Sequence, residues 1–542
     1  MNNSTLFSLT RRSSFLWKAT LALIFGFFAL GTVLSWLNPN PGISYHDIFE
    51  SPDYYETGDE NPDLINYSIL NDKLIQALNG PDPFENKLID LEVLLSFSAF
   101  GKTITLPEAA EVPNLSASEY AVATAYAEAK RITLDETKAA TEATAQLLQP
   151  LLLLAESQPP VPYANYALAL HYQNESKYML AIAAVQSELA ISQIDVAKEL
   201  LIYLYFHQED YERIEQLQTD PEYAPFIDSA LLQDIALERM DWPALFTTLI
   251  PAAYANAQAS MVFLALLTGI IWSAFLIRLN DAPAHLNFLL KLAIPALILG
   301  ALSAHLTILV IFLQEHQLGL TEGDTLITQV IYCVAGIGMR EELLKLLCFV
   351  PLLPFVLKRN DDRVTFIVAS LVGLGFAVEE NLNYFEMSQG ISTLGRFVTA
   401  NFLHLSLTGL CGLALTRAVK HGGYYINQVV NTVGLAIIAH GAYDAFIIVP
   451  ELVEYGMLTS IVFILIVYRY FAEARALRRT WSSPFSMTAQ LTFSLVTIIG
   501  TSFIIVAWSS GAMLGLITIA SEVISVGVLL VLFYREIPEA IH

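Results

Sequence analysis

Apolar runs long enough to cross a bilayer recur along this 542-residue chain, and no other feature constrains its fold as strongly. A hydrocarbon core of about 30 Å needs roughly 20 apolar residues in helical form. Candidate runs are Ala19–Leu37, Met261–Ile277, Leu286–Leu313, Leu326–Leu357, Val364–Phe385, Phe397–Thr416, Tyr424–Val449, Gly456–Tyr468, Gln490–Trp508 and Leu514–Phe533. The run after Gly456 is the shortest. Hydrophobic residues make up 55% of the chain and mean hydropathy is +0.51, well outside the range of an ordinary soluble protein. The pattern predicts an all-α, polytopic transmembrane bundle of about ten spans.

Charge divides the chain further. The net formal charge of -24 is confined to residues 38–258, which hold 34 acids against 10 bases, while acids and bases balance elsewhere. An acidic soluble domain is therefore inserted after the first span. The expected organisation is a cytoplasmic N-terminus with a signal anchor at 1–37, the acidic domain at 38–258, a membrane core at 259–450 and additional spans at 451–542. Arg11, Arg12 and Lys18 precede a first apolar run too long for a cleaved signal peptide, which favours an uncleaved anchor. No basic patch points to nucleic acid. Cys333, Cys348 and Cys411 all fall in apolar runs, so the inserted domain has no disulfide framework.

Within the inserted domain, the part up to about Pro107 is rich in Pro, Asn, Asp and Tyr and is expected to be irregular with short helices. From Ser116 the spacing becomes helical. Three segments resemble one another: Leu168-Ala-Leu-His-Tyr to Tyr178, Leu201-Ile-Tyr-Leu-Tyr to Tyr211, and Leu232-Gln-Asp-Ile-Ala to Trp242. Their closing aromatics lie 33 and 31 residues apart. That approaches the roughly 34-residue period of tetratricopeptide hairpins. The expectation is an all-helical, degenerate tetratricopeptide-like domain that binds a protein partner or shapes access to the membrane.

Lys and Arg in short loops set orientation. Arg278, then Lys358, Arg359 and Arg363, then Arg417 and Lys420, then Arg469, Arg475, Arg478 and Arg479, then Arg535 fall in alternate loops. The intervening loops are acidic or balanced, at 314–325, at 386–396 with Glu386 against Arg396, and at 450–455. The basic loops and the N-terminus are expected to be cytoplasmic and the 38–258 domain extracytoplasmic, in a plasma or inner membrane.

Four polar clusters interrupt the apolar runs: Glu341-Glu342 with Lys345, Phe376 with Glu379-Glu380-Asn381, His404, and His440 with Asp444. Ionisable side chains in hydrocarbon are costly, so they pair, face a cavity or do chemistry. Counted from the cytoplasmic end of its own run, each cluster sits 14–16 residues in, or roughly 21–24 Å. One polar site at a single depth follows, in the half nearer the acidic domain. Glu341 and Lys345, four apart with Glu first, are set to pair and to leave Glu342 free as a base on water. Glu380 and Asn381 are expected on the inner face. His440 and Asp444 share a helix face one turn apart. His404, His440 and Asp444 could ligate Zn²⁺. Equally, Glu342 could activate water without metal while the two imidazoles hold the oxyanion.

At these residues the chain resembles the PrsW family of intramembrane proteases, itself similar to CAAX-type prenyl endopeptidases and bacteriocin-immunity membrane proteins. The resemblance rests on Glu341-Glu342-x-x-Lys345, Phe376-x-x-x-Glu380-Asn381, His404 and His440-x-x-x-Asp444, and it covers roughly Leu286–Val449. It implies peptide-bond hydrolysis in or near the membrane, on a membrane-anchored protein such as an anti-sigma factor cut at its extracytoplasmic side. The large acidic insertion and the spans after Ala472 depart from a minimal member. Two other functions fit polar residues in membrane helices, an ion-coupled transporter and a non-catalytic scaffold that recruits partners through its repeats.

Overall fold

The computed structural model describes residues 8–38, 67–96, 106–130, 140–278, 283–477 and 485–541. Every regular element among them is helical. The chain divides into two compact units, one formed by Met1–Gly42 with Asn256–His542 and the other by Ile43–Ala255.

Among the described residues of the first unit, eight helices are long and apolar enough to span a membrane: Ser13–Leu37, Ala259–Arg278, Leu286–Glu315, Asp362–Met387, Thr393–Lys420, Ile426–Ile448, Met457–Ala476 and Met487–Ser510. The protein is a multi-pass membrane protein. The short run after Gly456 extends to a full 20-residue helix. Two expected spans differ from simple rods. The last run is a pair of helices, Ala512–Ser525 and Gly527–Ile537, bent by 59°.

The 326–357 run breaks into Leu326–Ile331, a π-helical stretch Tyr332–Gly338, Met339–Phe349, one 3₁₀ turn and Leu353–Arg359. Pro351 and Pro354 remove backbone donors there. Arg340, Glu341, Glu342 and Lys345 take it out of the apolar class. Widened π turns often accompany functional sites because they re-aim the residues that follow. Here the residues that follow are the Glu pair.

Asp362–Met387 and the helical run ending at Lys420 form the centre, each with 83% of its apolar window buried, whereas the N-terminal helix is 6% buried. Asp361 caps the first central helix by accepting from the Arg363 amide. Close approach between the two depends on Gly373, where any Cβ would strike the His404 carbonyl. Small residues at such crossings are what lets membrane helices touch. Similarly, a Cβ on Gly441 would strike Val334, which locks the π-helical stretch against Ile426–Ile448.

The second unit contains the three resembling segments as helical hairpins: Ala164–Asn174 with Tyr178–Leu189, Asp195–His207 with Tyr211–Gln218, and Ser229–Glu238 with Trp242–Tyr254. Each aromatic that sets the period opens the second helix of its hairpin. Each turn also repeats one geometry. Ser176, Glu209 and Met240 adopt φ of 56°, 56° and 53°. The following amide reaches back to the carbonyl of Tyr172, Tyr205 or Ala236 in turn. These are Schellman closures, one per hairpin. Asp210 and Asp241 then cap the next helix. The irregular stretches expected at 39–66 and 97–105, and Arg478 and Arg479, lie outside the described residues.

Candidate active site

All four polar clusters converge. Met339–Phe349 carries Glu341, Glu342 and Lys345; Asp362–Met387 carries Phe376, Glu379, Glu380 and Asn381; Ala400–Lys420 carries His404; Ile426–Ile448 carries His440 and Asp444. Glu342, Lys345, His404 and His440 are each no more than 2% exposed. Charges so deeply buried persist only when bonded.

Lys345 is the hub. Its ammonium donates to Glu342 Oε1 at 2.7 Å and to His404 Nδ1 at 2.8 Å. It also stands 4.4 Å from the centre of the Phe376 ring. Glu342 Oε1 additionally accepts from His440 Nδ1 at 2.7 Å. His404 Nε2 donates to Glu380 Oε2 at 3.0 Å. Both imidazole tautomers follow from these partners: His404 carries its proton on Nε2, because an ammonium can only donate to Nδ1, and His440 carries one on Nδ1. Each ring is thereby fixed by a carboxylate, and the two rings meet edge to face, centroids 5.1 Å apart.

Two expectations need correction. Lys345 does form the expected ion pair with Glu341, at 3.8 Å, but it bonds Glu342, three residues away, more closely at 2.7 Å, so Glu342 is not left free. Glu341, not Glu342, is the less engaged acid. Both i,i+3 and i,i+4 partners are within reach on a helix, and here the pull of His404 on the ammonium accompanies the shorter spacing. Secondly, the compact ligand group is Glu341, His404 and His440, whose donor atoms lie within 4.8 Å of one another. Asp444 sits beside it, Oδ2 at 3.4 Å from His440 Nε2.

Several contributors carried no sequence signal strong enough to find them. Arg396, which reads as a loop residue, donates to Glu380 Oε2 at 2.6 Å and to Asn381 Oδ1 at 2.7 Å, over the ring of Tyr384. Asn381 donates in turn to Asn401. Glu379 points elsewhere, to His305 at 3.2 Å, as adjacent residues about 100° apart on a helix must diverge. His305 in its apolar run was the one available hint. Arg340 bonds Gln314 at 2.8 Å on another face.

Residues 289–470 match the model of a family described as PrsW family intramembrane metalloprotease. This segment is a PrsW-type intramembrane peptidase. No curated protein and no solved structure matches the chain. The PrsW-type segment contains every site residue named from the sequence. It excludes the inserted unit and the three helices after residue 486.

Since the family is described as metalloproteases, the donor set can be tested for fit. Glu341 Oε2, Glu342 Oε2 and Asp444 Oδ2 are buried and accept no hydrogen bond. His440 Nε2 faces Glu341 Oε2 at 3.6 Å and Asp444 Oδ2 at 3.4 Å. Buried carboxylate oxygens that accept no hydrogen bond, gathered about one imidazole nitrogen, are a donor set suited to a cation. Nitrogen and carboxylate donors of this kind suit Zn²⁺. The PrsW-type core therefore fits a metal at Glu341 and His440, with Asp444 adjacent. His404 would join by exchanging its hydrogen bond to Glu380.

Proposed function

We propose that this chain hydrolyses a membrane-anchored protein at a site in the half of the bilayer nearer its extracytoplasmic face. The observation that carries the reading is one bonded network drawn from four membrane helices, in a segment that matches an intramembrane peptidase family.

Glu342 is the proton acceptor for the attacking water. Lys345 and His440 clamp its Oε1, while Oε2 remains without a partner. A base held through one oxygen and open at the other is oriented without being consumed by its holders. Glu380, itself held by Arg396, orients His404. The imidazoles of His404 and His440 would donate to a developing oxyanion by giving up their hydrogen bonds to Glu380 and Glu342. Glu341 and His440, with His404 and Asp444, are the residues that would hold a metal, Zn²⁺ being the best match to the donors. Such an ion would polarise the scissile carbonyl and acidify bound water. Phe376 closes the pocket against His404, 4.9 Å ring to ring.

The inserted unit is proposed as a tetratricopeptide-like, extracytoplasmic recruiting module. Its support is the thrice-repeated hairpin turn and a cleft of about 230 Å³ lined by Ile214, Gln218, Leu232, Ile235 and Thr248 among others. The alternation of basic and acidic loops supports a cytoplasmic N-terminus in a plasma or inner membrane. A regulatory, anti-sigma-like substrate fits that arrangement.

The test compares membranes from cells making the wild-type or the Glu342→Gln chain, with newly formed peptide termini mapped by mass spectrometry. Termini from membrane-anchored proteins should appear only with the wild type. Equal sets in both would reject peptidase action by this site. Metal analysis of the same preparations should give about one Zn²⁺ per chain, lost in His440→Gln. Full activity in metal-free protein would leave the network working through Glu342 and the imidazoles alone.

A further inference from the structure

Arg396 grips the Glu380 that orients His404, and it sits in Thr393–Val398, the opening turns of the helical run that ends at Lys420. The first turn of a helix leaves backbone N–H groups without intrahelical partners. Those amides take their acceptors from outside the helix.

Side chains from distant parts of the sequence hold this stretch. Glu522 accepts from two successive backbone amides of the turn, Oε2 from Leu394 at 3.2 Å and Oε1 from Gly395 at 3.1 Å. Ser502 donates to the Gly390 carbonyl at 2.9 Å. Trp272 Nε1 donates to the Phe397 carbonyl at 2.8 Å. Glu522 and Ser502 both lie beyond residue 470, where the family match ends.

Glu522 is the one ionisable residue in Ala512–Ser525. A lone carboxylate in an apolar membrane helix is costly, and a neutral acceptor could cap one amide. Only a carboxylate or carboxamide offers two atoms that could meet two neighbouring N–H groups, and only the carboxylate accepts with both. The 59° bend between Ala512–Ser525 and Gly527–Ile537 brings the first of that pair against Thr393–Val398. Extra C-terminal helices are thus built into the peptidase site.

We propose that Glu522 is a positioning residue of the peptidase. It fixes the 393–398 turn so that Arg396 holds Glu380, and through Glu380 the His404 ring. Without it the guanidinium drifts and Glu380 becomes open to solvent. The proposal rests on the reading of Glu380 and His404 as parts of the catalytic network.

The test uses the full chain in detergent micelles and no substrate. Hydrogen exchange is measured over 388–399, and Glu380 is labelled with a water-soluble carbodiimide and an amine, both read by mass spectrometry. Glu522→Ala should raise exchange at Leu394 and Gly395 about tenfold, as loss of charge-assisted hydrogen bonds implies. It should raise Glu380 labelling several-fold while other helices exchange as before. Glu522→Gln, which keeps one accepting oxygen, should fall between. If Glu522→Ala does not fold, Glu522→Gln and Ser502→Ala carry the same comparison.

Arg396→Gln should label heavily at Glu380 by itself, and adding Glu522→Gln should then change nothing, since coupled residues are not additive. Unchanged Glu380 labelling in all Glu522 variants, or additive effects with Arg396→Gln, would overturn the proposal. A Glu342→Gln chain that still cleaved would instead overturn the peptidase reading, a result these labelling measurements do not touch.

Discussion

Lys345 shows how one side chain can decide the state of several others. It is wholly buried, bonded to Glu342 and His404, and covered by Phe376. Removing one partner of a buried ion pair costs about 3–5 kcal/mol, because the other is left charged and unpaired. Lys345→Met should therefore lower stability by about that amount, read as a drop in thermal unfolding midpoint in detergent, and should abolish cleavage. A midpoint unchanged from wild type would show that the ammonium is not what holds Glu342. The residue scale is also where the sequence was least sufficient. Glu341 and Glu342 stand out as acids in an apolar run, but no local spacing shows that the Lys345 beside them also bonds His404, 59 positions away. Arg396 was invisible as a site residue because nothing local links it to Glu380.

At the scale of elements, the polar clusters were legible because each breaks the apolar rule in its own helix, and their equal depth signalled one site. The broken form of 326–359 was not legible. Its mean apolarity reads as a span, while its π turn packs against Gly441 on another helix, a partner no local pattern names. The inserted unit shows the opposite case. Its period was readable, since the aromatics that set it open the second helix of each hairpin.

His171 on Ala164–Asn174 is wholly buried. Burial pushes its pKa below the ordinary 6.5, an effect that Glu175 partly opposes and Lys177 and Lys130 reinforce. The neutral form is the one this hairpin accommodates. Its stability is thus complete above pH 6.5 and falls as pH drops below that, because the unfolded chain takes up the proton first. Hydrogen exchange over 164–189, corrected for the intrinsic pH effect, should accelerate between pH 7 and pH 5. His171→Phe should remove that acceleration. Equal acceleration in the variant would place the acid sensitivity elsewhere.

For the whole molecule, a site in the extracytoplasmic half of the bilayer requires one fixed orientation. Basic loops hold Lys358, Arg359, Arg417 and Lys420, and the acidic unit follows the first span. Single cysteines introduced into a background lacking Cys333, Cys348 and Cys411 give the readout. A membrane-impermeant maleimide applied to intact cells should label Gln218→Cys in the inserted unit, and should label Lys420→Cys only after lysis. Labelling of Lys420→Cys in intact cells would invert the topology and move the site to the cytoplasmic half. Among the described residues, eight spanning helices, a bent pair and the broken 326–359 run make up the membrane unit, and the most buried two helices carry Glu380 and His404. Chemistry is therefore placed at the part of the bundle least open to lipid.

The most direct test of the central claim is the cleavage rate, in reconstituted vesicles, of a substrate found by terminus mapping, with Glu342→Gln against wild type. General-base catalysis contributes about 10²–10⁴-fold, so the variant should be at least a hundredfold slower with its unfolding midpoint nearly kept. A rate within twofold of wild type would contradict the claim that this buried network performs the hydrolysis.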